Sequence, residues 1–167
     1  MALNSEIVTD EKIILKLQQN ASDPNSSVWV SASAGSGKTK VLTDRVLRLL
    51  LSGALPNRIL CLTFTRAAAA EMQNRIRHLL GEWAVLEEKD LAVRIFGLTD
   101  ETPDAATRIR ARRLFAQVLD APGGLKIQTI HAFCESLLGR FPIEARLSLR
   151  ACARWEPGGT PERPGSL

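Results

Sequence analysis

The chain has 167 residues, of which 45% are hydrophobic and 24% charged, with a net charge of +4 and a pI near 9.3. This composition predicts one globular, soluble domain with a real core, and its mildly basic balance permits a polyanionic partner without requiring one. The sequence has no signal peptide, no apolar run of membrane-spanning length and no Cys-x-x-Cys pair. We therefore expect a cytoplasmic protein without a membrane anchor, a disulfide framework or a zinc site.

The first predicted element is a short helix from about residue 9 to residue 20, with Ile13, Ile14 and Leu17 on one side. Residues 21–27 are dense in turn-forming types and predict a loop. The following apolar run, 28–30, has β propensity and predicts a first strand.

A glycine-bearing loop follows this strand, with the sequence Ala32-Ser33-Ala34-Gly35-Ser36-Gly37-Lys38-Thr39. A strand, such a loop and a helix beginning at Lys-Thr form the layout of a phosphate-binding P-loop, although Ala32 stands where the strict motif has glycine. Glycine allows the backbone to approach an anion closely, and the loop N–H groups and the positive end of the helix then point at it. Lys38 is suited to the β- and γ-phosphates, and the Thr39 hydroxyl to Mg²⁺. The alternative to a phosphate-binding loop is a turn of small residues before a helix, with a lysine that is only exposed to solvent.

The helix after the loop is predicted from its apolar spacing, with Leu42, Val46, Leu49 and Leu50 on one face and a left-handed stop at Gly53. A second strand, 59–64, is continuously apolar, which predicts a parallel strand covered on both faces. It leads into a long helix whose predicted inward face is Ala69, Met72, Ile76 and Leu79.

Residues 81–98 show only fragments of a helical pattern. The next helix is predicted to start at Thr102-Pro103-Asp104, with a threonine cap and proline in the first turn, and to end at 122–124. A third strand, 125–129, passes into a helix with Phe133, Leu137, Leu138 and Phe141 on one face. Three strands, each followed by a helix, predict an α/β domain with a parallel sheet flanked by helices.

Residues 148–167 are rich in proline and glycine, and their apolar residues show no period. Such a segment buries little surface, so we expect an unstructured tail, and a frameshifted end is the favoured explanation of its origin. The predicted division is an ordered region, 1–147, and this tail.

Two strand ends beyond the P-loop carry candidate ligand-binding residues, because open α/β sheets bind ligands at the carboxyl ends of their strands. After the second strand, Phe64 offers a ring for stacking a base, and Thr65 and Arg66 suit backbone phosphate; the alternative is that Phe64 completes the core and Arg66 is solvated. After the third strand, Thr129 and His131 are possible donors to phosphate, although a lone histidine is more often a polar residue at a helix start.

The three loops together resemble UvrD-like superfamily 1 DNA helicases. The P-loop, Leu62-Thr63-Phe64-Thr65-Arg66-Ala67-Ala68-Ala69-Ala70-Glu71-Met72 and Thr129-Ile130-His131-Ala132-Phe133-Cys134 match motifs I, Ia and Ic of that family. Gln18 lies where the family has its adenine-reading glutamine. The segments 21–24 and 29–32 look most like AddA-type helicase–nuclease subunits of bacterial double-strand-break repair.

The resemblance implies a partial RecA-like P-loop NTPase domain of an ATP-dependent motor that moves 3′ to 5′ on single-stranded DNA. ATP and Mg²⁺ are the implied cofactors, the implied partners are single-stranded DNA and a second helicase–nuclease subunit, and exonuclease activity is implied for the full-length protein. By motif match, Gln18 contacts adenine, the loop residues 32–39 with Lys38 hold the phosphates, Thr39 holds Mg²⁺ and Arg45 lies near the nucleotide. The residues implied to line the DNA path are Phe64, Thr65, Arg66, Thr129 and His131.

Hydrolysis of this type needs an acidic pair at a strand end, which we do not find in these 167 residues; Glu87-Glu88 lies in a helical stretch between motifs Ia and Ic. We therefore expect the chain on its own to be an inactive ATP-binding segment. Two alternatives stay open: a small P-loop phosphotransferase, and a non-catalytic product, either a DNA-binding remnant or an inert partial reading frame. The phosphotransferase would need an arginine-rich lid, for which the candidates are Arg108, Arg110, Arg112 and Arg113.

Overall fold

The computed structural model describes residues 13–31, 33, 35 and 37–141 of the chain. Residues 13–21 are helical and are called α1. The elements that follow are α2 (Lys38–Leu51), a 3₁₀ turn (Pro56–Arg58), β1 (Leu60–Thr63), α3 (Arg66–Val85), α4 (Glu88–Thr99), α5 (Ala105–Asp120), β2 (Lys126–Thr129) and α6 (Ile130–Arg140). The predicted tail and the start of the first helix lie outside the described residues.

The two described strands pair in parallel, with Leu60 opposite Lys126 and Thr63 opposite Thr129. The predicted α/β class with parallel strands is confirmed at this level, while the described part is mostly helical and the RecA-like arrangement stays a prediction. The expected first strand is not formed within the described residues: 28–30 run without strand pairing, and Trp29 is 92% exposed. An extended segment becomes a strand only when a neighbour satisfies its backbone groups, and β propensity does not supply that neighbour.

The core lies between the helices, with α3 at its centre. The fully buried side chains Ile76 and Leu80 of α3 pack in one cluster with Leu50 of α2, Leu91 of α4 and Leu114 of α5. The predicted inward face of α3 is confirmed, since Ala69, Met72 and Ile76 are buried and Leu79 is partly buried. This cluster anchors α2, the helix that leads out of the P-loop.

The predicted face of α2 is shifted by one residue at its start. Val41 is buried and Leu42 is 54% exposed, whereas Val46 and Leu50 are buried as expected. Gly53 takes the predicted left-handed conformation, with φ 96°, and the N–H of Ala54 donates to the carbonyl of Leu49 at 3.0 Å. The helix therefore ends as a glycine stop requires.

The unclear stretch 81–98 resolves into the end of α3 and most of α4, joined by a short connection. The predicted cap of α5 is wrong by two residues, because Asp104 accepts from the Thr107 N–H at 2.7 Å and so replaces Thr102. A carboxylate beside N–H groups at the positive end of a helix is a strong cap.

The sheet is covered on one face within the described residues. Ile127 is buried in the core cluster, but Leu60 and Leu62 on the other side are 44% and 43% exposed. The expectation of a strand covered on both faces is therefore wrong for β1 in the part of the chain described here. The apolar face of α6 is likewise unburied: none of its side chains is buried, and Leu137 and Leu138 are nearly half exposed.

Candidate functional site

The two glycines of the loop before α2 have the backbone conformation expected of a phosphate-binding loop. Gly35 and Gly37 have φ values of 80° and 86°, in the left-handed region that disfavours side chains. Gly37 is the N-cap of α2, so the N–H groups of the first helical turn, which have no acceptor within the helix, face the loop. Both glycines of the motif are therefore at positions that favour glycine over other residues.

Lys38 lies across this loop. Its Nζ donates to the carbonyl of Ser33 at 2.6 Å, which brings the ammonium group to the start of the loop. Thr39 stands exposed in the first turn of α2, and its carbonyl accepts from the Thr43 hydroxyl at 2.8 Å. A cation, a hydroxyl and a helix N-terminus in one place suit an anion with a bound Mg²⁺.

Three further residues of the motif lie outside the described residues, namely Ala32, Ala34 and Ser36. Their expected contribution is that of the backbone N–H groups, and it stays a prediction. The described part of the loop thus consists of Ser33, Gly35 and the residues from Gly37 onward.

Gln18 is brought to the same loop from α1. A β-carbon built on Gly37 would lie 2.9 Å from Nε2 of Gln18, so the amide group rests against the glycine just before Lys38. Two residues that are distant in the sequence thus meet at one point. The adenine-reading role of Gln18 stays a prediction, and the structure places its amide beside the loop.

The side chain of Arg45 contacts the loop that joins α1 to the P-loop segment. Its Nη1 donates to the carbonyl of Asp23 at 2.6 Å, and its Nη2 donates to the carbonyl of Ser26 at 2.7 Å. These contacts give Arg45 a structural part in holding residues 21–26, whereas its predicted place beside a nucleotide stays a prediction. The N–H of Asn25 lowers the pKa of the Asp23 carboxyl below its ordinary value, which keeps this loop acid charged.

The carboxyl ends of β1 and β2 lie side by side, because Thr63 pairs with Thr129 in the parallel register. The two following helices begin in the same way: Thr65 caps α3 by accepting from the Ala68 N–H at 3.1 Å, and Thr129 caps α6 by accepting from the Ala132 N–H at 3.2 Å. Two of the three predicted strand ends therefore share one edge of one sheet. The third is the P-loop segment, which is not paired to the sheet among the described residues.

The side chains at this edge differ in exposure. Phe64 is 86% exposed, so its ring does not complete the core within the described residues, and its predicted stacking on a base stays a prediction. Arg66 and His131 are also exposed, whereas Thr129 is buried and its hydroxyl caps the helix. The edge offers an aromatic face, a guanidinium and two helix N-termini, which are groups that suit a base and backbone phosphate.

The arginines of α5 hold other helices in place. Arg108 pairs with Glu88 and donates to the carbonyl of Pro103 at 2.6 Å, and Arg110 donates to the carbonyl of Leu51 at 2.8 Å. Arg112 donates to the carbonyl of Ala84 at 3.2 Å, near the end of α3. Cations at the last carbonyls of helices are favourable, and the Arg108 contact also lowers the pKa of Glu88. These contacts argue against a mobile arginine lid of the kind that a phosphotransferase needs.

Comparison with known proteins gives the family. The UvrD/REP helicase N-terminal domain family matches residues 15–154. The chain is 34% identical over 134 residues to the A subunit of the ATP-dependent helicase/nuclease of Pediococcus pentosaceus, covering 80% of this chain and 9% of the relative. It is 38% identical over 119 residues to the protein of the same name from Enterococcus faecalis, covering 71% of this chain and 8% of the relative. No solved structure matches the chain.

The chain therefore belongs to the UvrD/REP helicase family, through the N-terminal domain of that family. This confirms the resemblance drawn from motifs I, Ia and Ic, including its likeness to AddA-type helicase–nuclease proteins. The chain spans less than a tenth of the length of these curated relatives. Among the described residues, no helix is long and apolar enough to cross a membrane.

Proposed function

We propose that this chain is the ATP-binding segment of an ATP-dependent DNA helicase of the helicase–nuclease type, with a partial RecA-like fold, which acts in double-strand-break repair by recombination. The proximity of the Gln18 amide to Gly37 carries the proposal, because a residue that reads the base and a loop that binds the phosphates of one nucleotide have to lie in one site. The names of the relatives support the same assignment. The cytoplasm, where DNA is accessible in bacteria, is the proposed location.

Different residues of the chain bind different parts of the nucleotide. The loop N–H groups around Gly35 and Gly37 and the Lys38 ammonium hold the phosphates, and the Thr39 hydroxyl is a ligand for Mg²⁺. Gln18 reads the edge of the adenine. Bound Mg²⁺ supplies neutralising charge to the phosphates.

The proposed DNA path runs along the shared carboxyl edge of β1 and β2. Phe64 stacks a base, and Thr65, Arg66 and His131 contact the strand backbone, while Thr129, which is buried, positions the N-terminus of α6 toward that backbone as its cap. The proposed partners are single-stranded DNA and a second helicase–nuclease subunit. A protein that joins this segment to the later helicase motifs is expected to unwind a duplex with a 3′ overhang and to leave one with a 5′ overhang intact.

The test is titration of the 167-residue chain with MgATP, in which binding is measured by calorimetry or with a fluorescent nucleotide. We expect weak binding without unwinding, because the sequence offers no acidic pair for Mg²⁺ at a strand end. Lys38→Ala removes a charge-assisted contact to phosphate and should weaken binding by about 10- to 100-fold.

The matched control is Lys40→Ala, which removes the same charge two residues later on the same helix. Lys40 pairs with Asp44 at 2.7 Å, so its loss should leave nucleotide affinity nearly unchanged. Equal losses from the two variants would contradict the phosphate-binding role of Lys38. Robust DNA-stimulated ATP hydrolysis by the wild-type chain would contradict the expected inactivity.

A further inference from the structure

The described part of the helix that carries Gln18, residues 13–21, has no buried hydrophobic face. The sequence predicts Ile13, Ile14 and Leu17 on one side of α1, but they are 52%, 52% and 62% exposed. No side chain between residues 13 and 21 is buried. Polar contacts therefore contribute to holding Gln18 against the phosphate loop.

Those contacts gather at the carboxyl end of α1, one residue after Gln18. Arg48 of α2 reaches back and donates through Nη1 to the carbonyl of Gln19 at 2.8 Å and to the hydroxyl of Ser22 at 3.0 Å. Ser22 is 1% exposed, and its hydroxyl in turn donates to the Gln19 carbonyl at 2.8 Å. A buried hydroxyl, a guanidinium and a helix-end carbonyl thus form a closed triangle.

The same turn includes Gln18 itself. The N–H of Ser22 donates to the carbonyl of Gln18 at 3.0 Å, so the residue that Arg48 binds is bonded directly to the backbone of Gln18. Contacts to α4 are more exposed: Lys16 pairs with Asp100 at 2.7 Å, and Gln19 Nε2 donates to the carbonyl of Gly97 at 3.3 Å. An exposed ion pair contributes little, whereas a cation bonded to helix-end carbonyls and to a buried hydroxyl contributes more.

Arg48 lies on α2, the helix whose first turn contains Lys38 and whose inner face is buried in the core. One side chain therefore joins the segment that carries the base-reading amide to the rigid helix that carries the phosphate loop. We propose that Arg48, acting through Ser22, is a positioning residue for base recognition: it holds Gln18 at the distance from Gly37 at which the amide reads adenine. This inference rests on the proposed ATP-binding function.

The experiment measures the dissociation constants of MgATP, MgGTP and inorganic tripolyphosphate for the 167-residue chain and its variants. Loss of the hydrogen bonds to the base should change the ratio of the GTP dissociation constant to the ATP dissociation constant by about tenfold. Arg48→Ala should abolish most of the preference for ATP over GTP and leave the tripolyphosphate dissociation constant within about twofold of the wild-type value. Arg48→Lys, whose ammonium can still bond the Gln19 carbonyl, should restore part of it.

A double variant distinguishes a positioning role of Arg48 from a general loss of order in the site. If Arg48 acts through Gln18, Gln18→Ala with Arg48→Ala loses no more base preference than Gln18→Ala by itself. Arg113→Ala is the charge control, because Arg113 is exposed on α5, and it should keep the preference. Circular dichroism checks folding, and if Arg48→Ala unfolds, the milder Ser22→Ala decides in its place.

The outcomes test the positioning role of Arg48 and the proposed ATP binding separately. An unchanged ATP preference in Arg48→Ala, or an equal weakening of all three ligands, overturns the positioning role and leaves ATP binding intact. A wild-type chain that binds the phosphates without preferring ATP also overturns it. A wild-type chain that binds neither ATP nor tripolyphosphate overturns the proposed function as well.

Discussion

The helical core and the sheet differ in how completely they bury the apolar residues that the sequence provides. Ile76, Leu80 and Leu91 have no exposed surface, whereas Leu60 and Leu62 of β1 remain more than two-fifths exposed. The proposed ligand groups lie on the open side of this division, at the strand ends and the loop before α2. The closed core therefore acts as the scaffold, and the open edge is where binding is proposed to take place.

The largest expected effect comes from truncating the core. Ile76→Ala removes a fully buried side chain from the centre of the helical cluster and should lower the free energy of unfolding by about 3–4 kcal/mol. Leu62→Ala, on the open face of the sheet, is the matched variant and should cost about 1 kcal/mol or less. Urea denaturation measures both, and similar losses would mean that the two regions do not differ in packing.

The next effect separates the two glycines of the loop. Gly37→Ala forces a β-carbon into a left-handed residue, at about 1–2 kcal/mol, and also against Gln18 at 2.9 Å. Gly35→Ala meets the same backbone strain but has nothing within 4 Å of the added carbon. We expect a greater loss of ATP preference over GTP in Gly37→Ala, as measured by nucleotide titration; equal loss in both variants would speak against the contact with Gln18.

A smaller effect concerns the strand edge itself. Thr65→Ala removes the cap of α3 and should cost about 1 kcal/mol of stability, because the Ala68 N–H loses its acceptor. Thr65→Ser keeps the hydroxyl and should restore most of it in thermal or urea unfolding. A serine variant as unstable as the alanine variant would show that the cap is not what Thr65 contributes.

The smallest effect is a dependence on acid. The hydrogen bond from Thr107 lowers the pKa of the Asp104 carboxyl below its ordinary value of 3.8. A lowered carboxyl pKa stabilises the fold above the ordinary value, and this contribution is lost as the pH falls from there through the lowered pKa.

Asp104→Asn tests this, since asparagine caps well and does not titrate. The variant should lose less stability than the wild type between neutral pH and the acid range below about 4, as followed by urea midpoints at several pH values. Identical acid profiles for the two proteins would remove Asp104 from the explanation.

The sequence by itself determined the features that depend on local chemistry. The loop glycines, the helix from Lys38, the inward face of α3 and the two paired strands follow from backbone freedom and apolar spacing, and the motif order correctly indicated the family. It misjudged 28–30, Leu42 and the outer face of β1. Propensity describes what a segment can form, and burial depends on which neighbours pack against it.

The tertiary structure determined contacts that the spacing of residues along the sequence does not indicate. The contact of Gln18 with Gly37, the reach of Arg48 to Ser22 and the placement of the α5 arginines at helix ends each join residues far apart in the chain. A long charged side chain has the same local pattern whether it is solvated or bonded to a distant carbonyl. The packing of the helices brings that carbonyl within reach, and this is why the positioning of Gln18 is visible only in the folded chain.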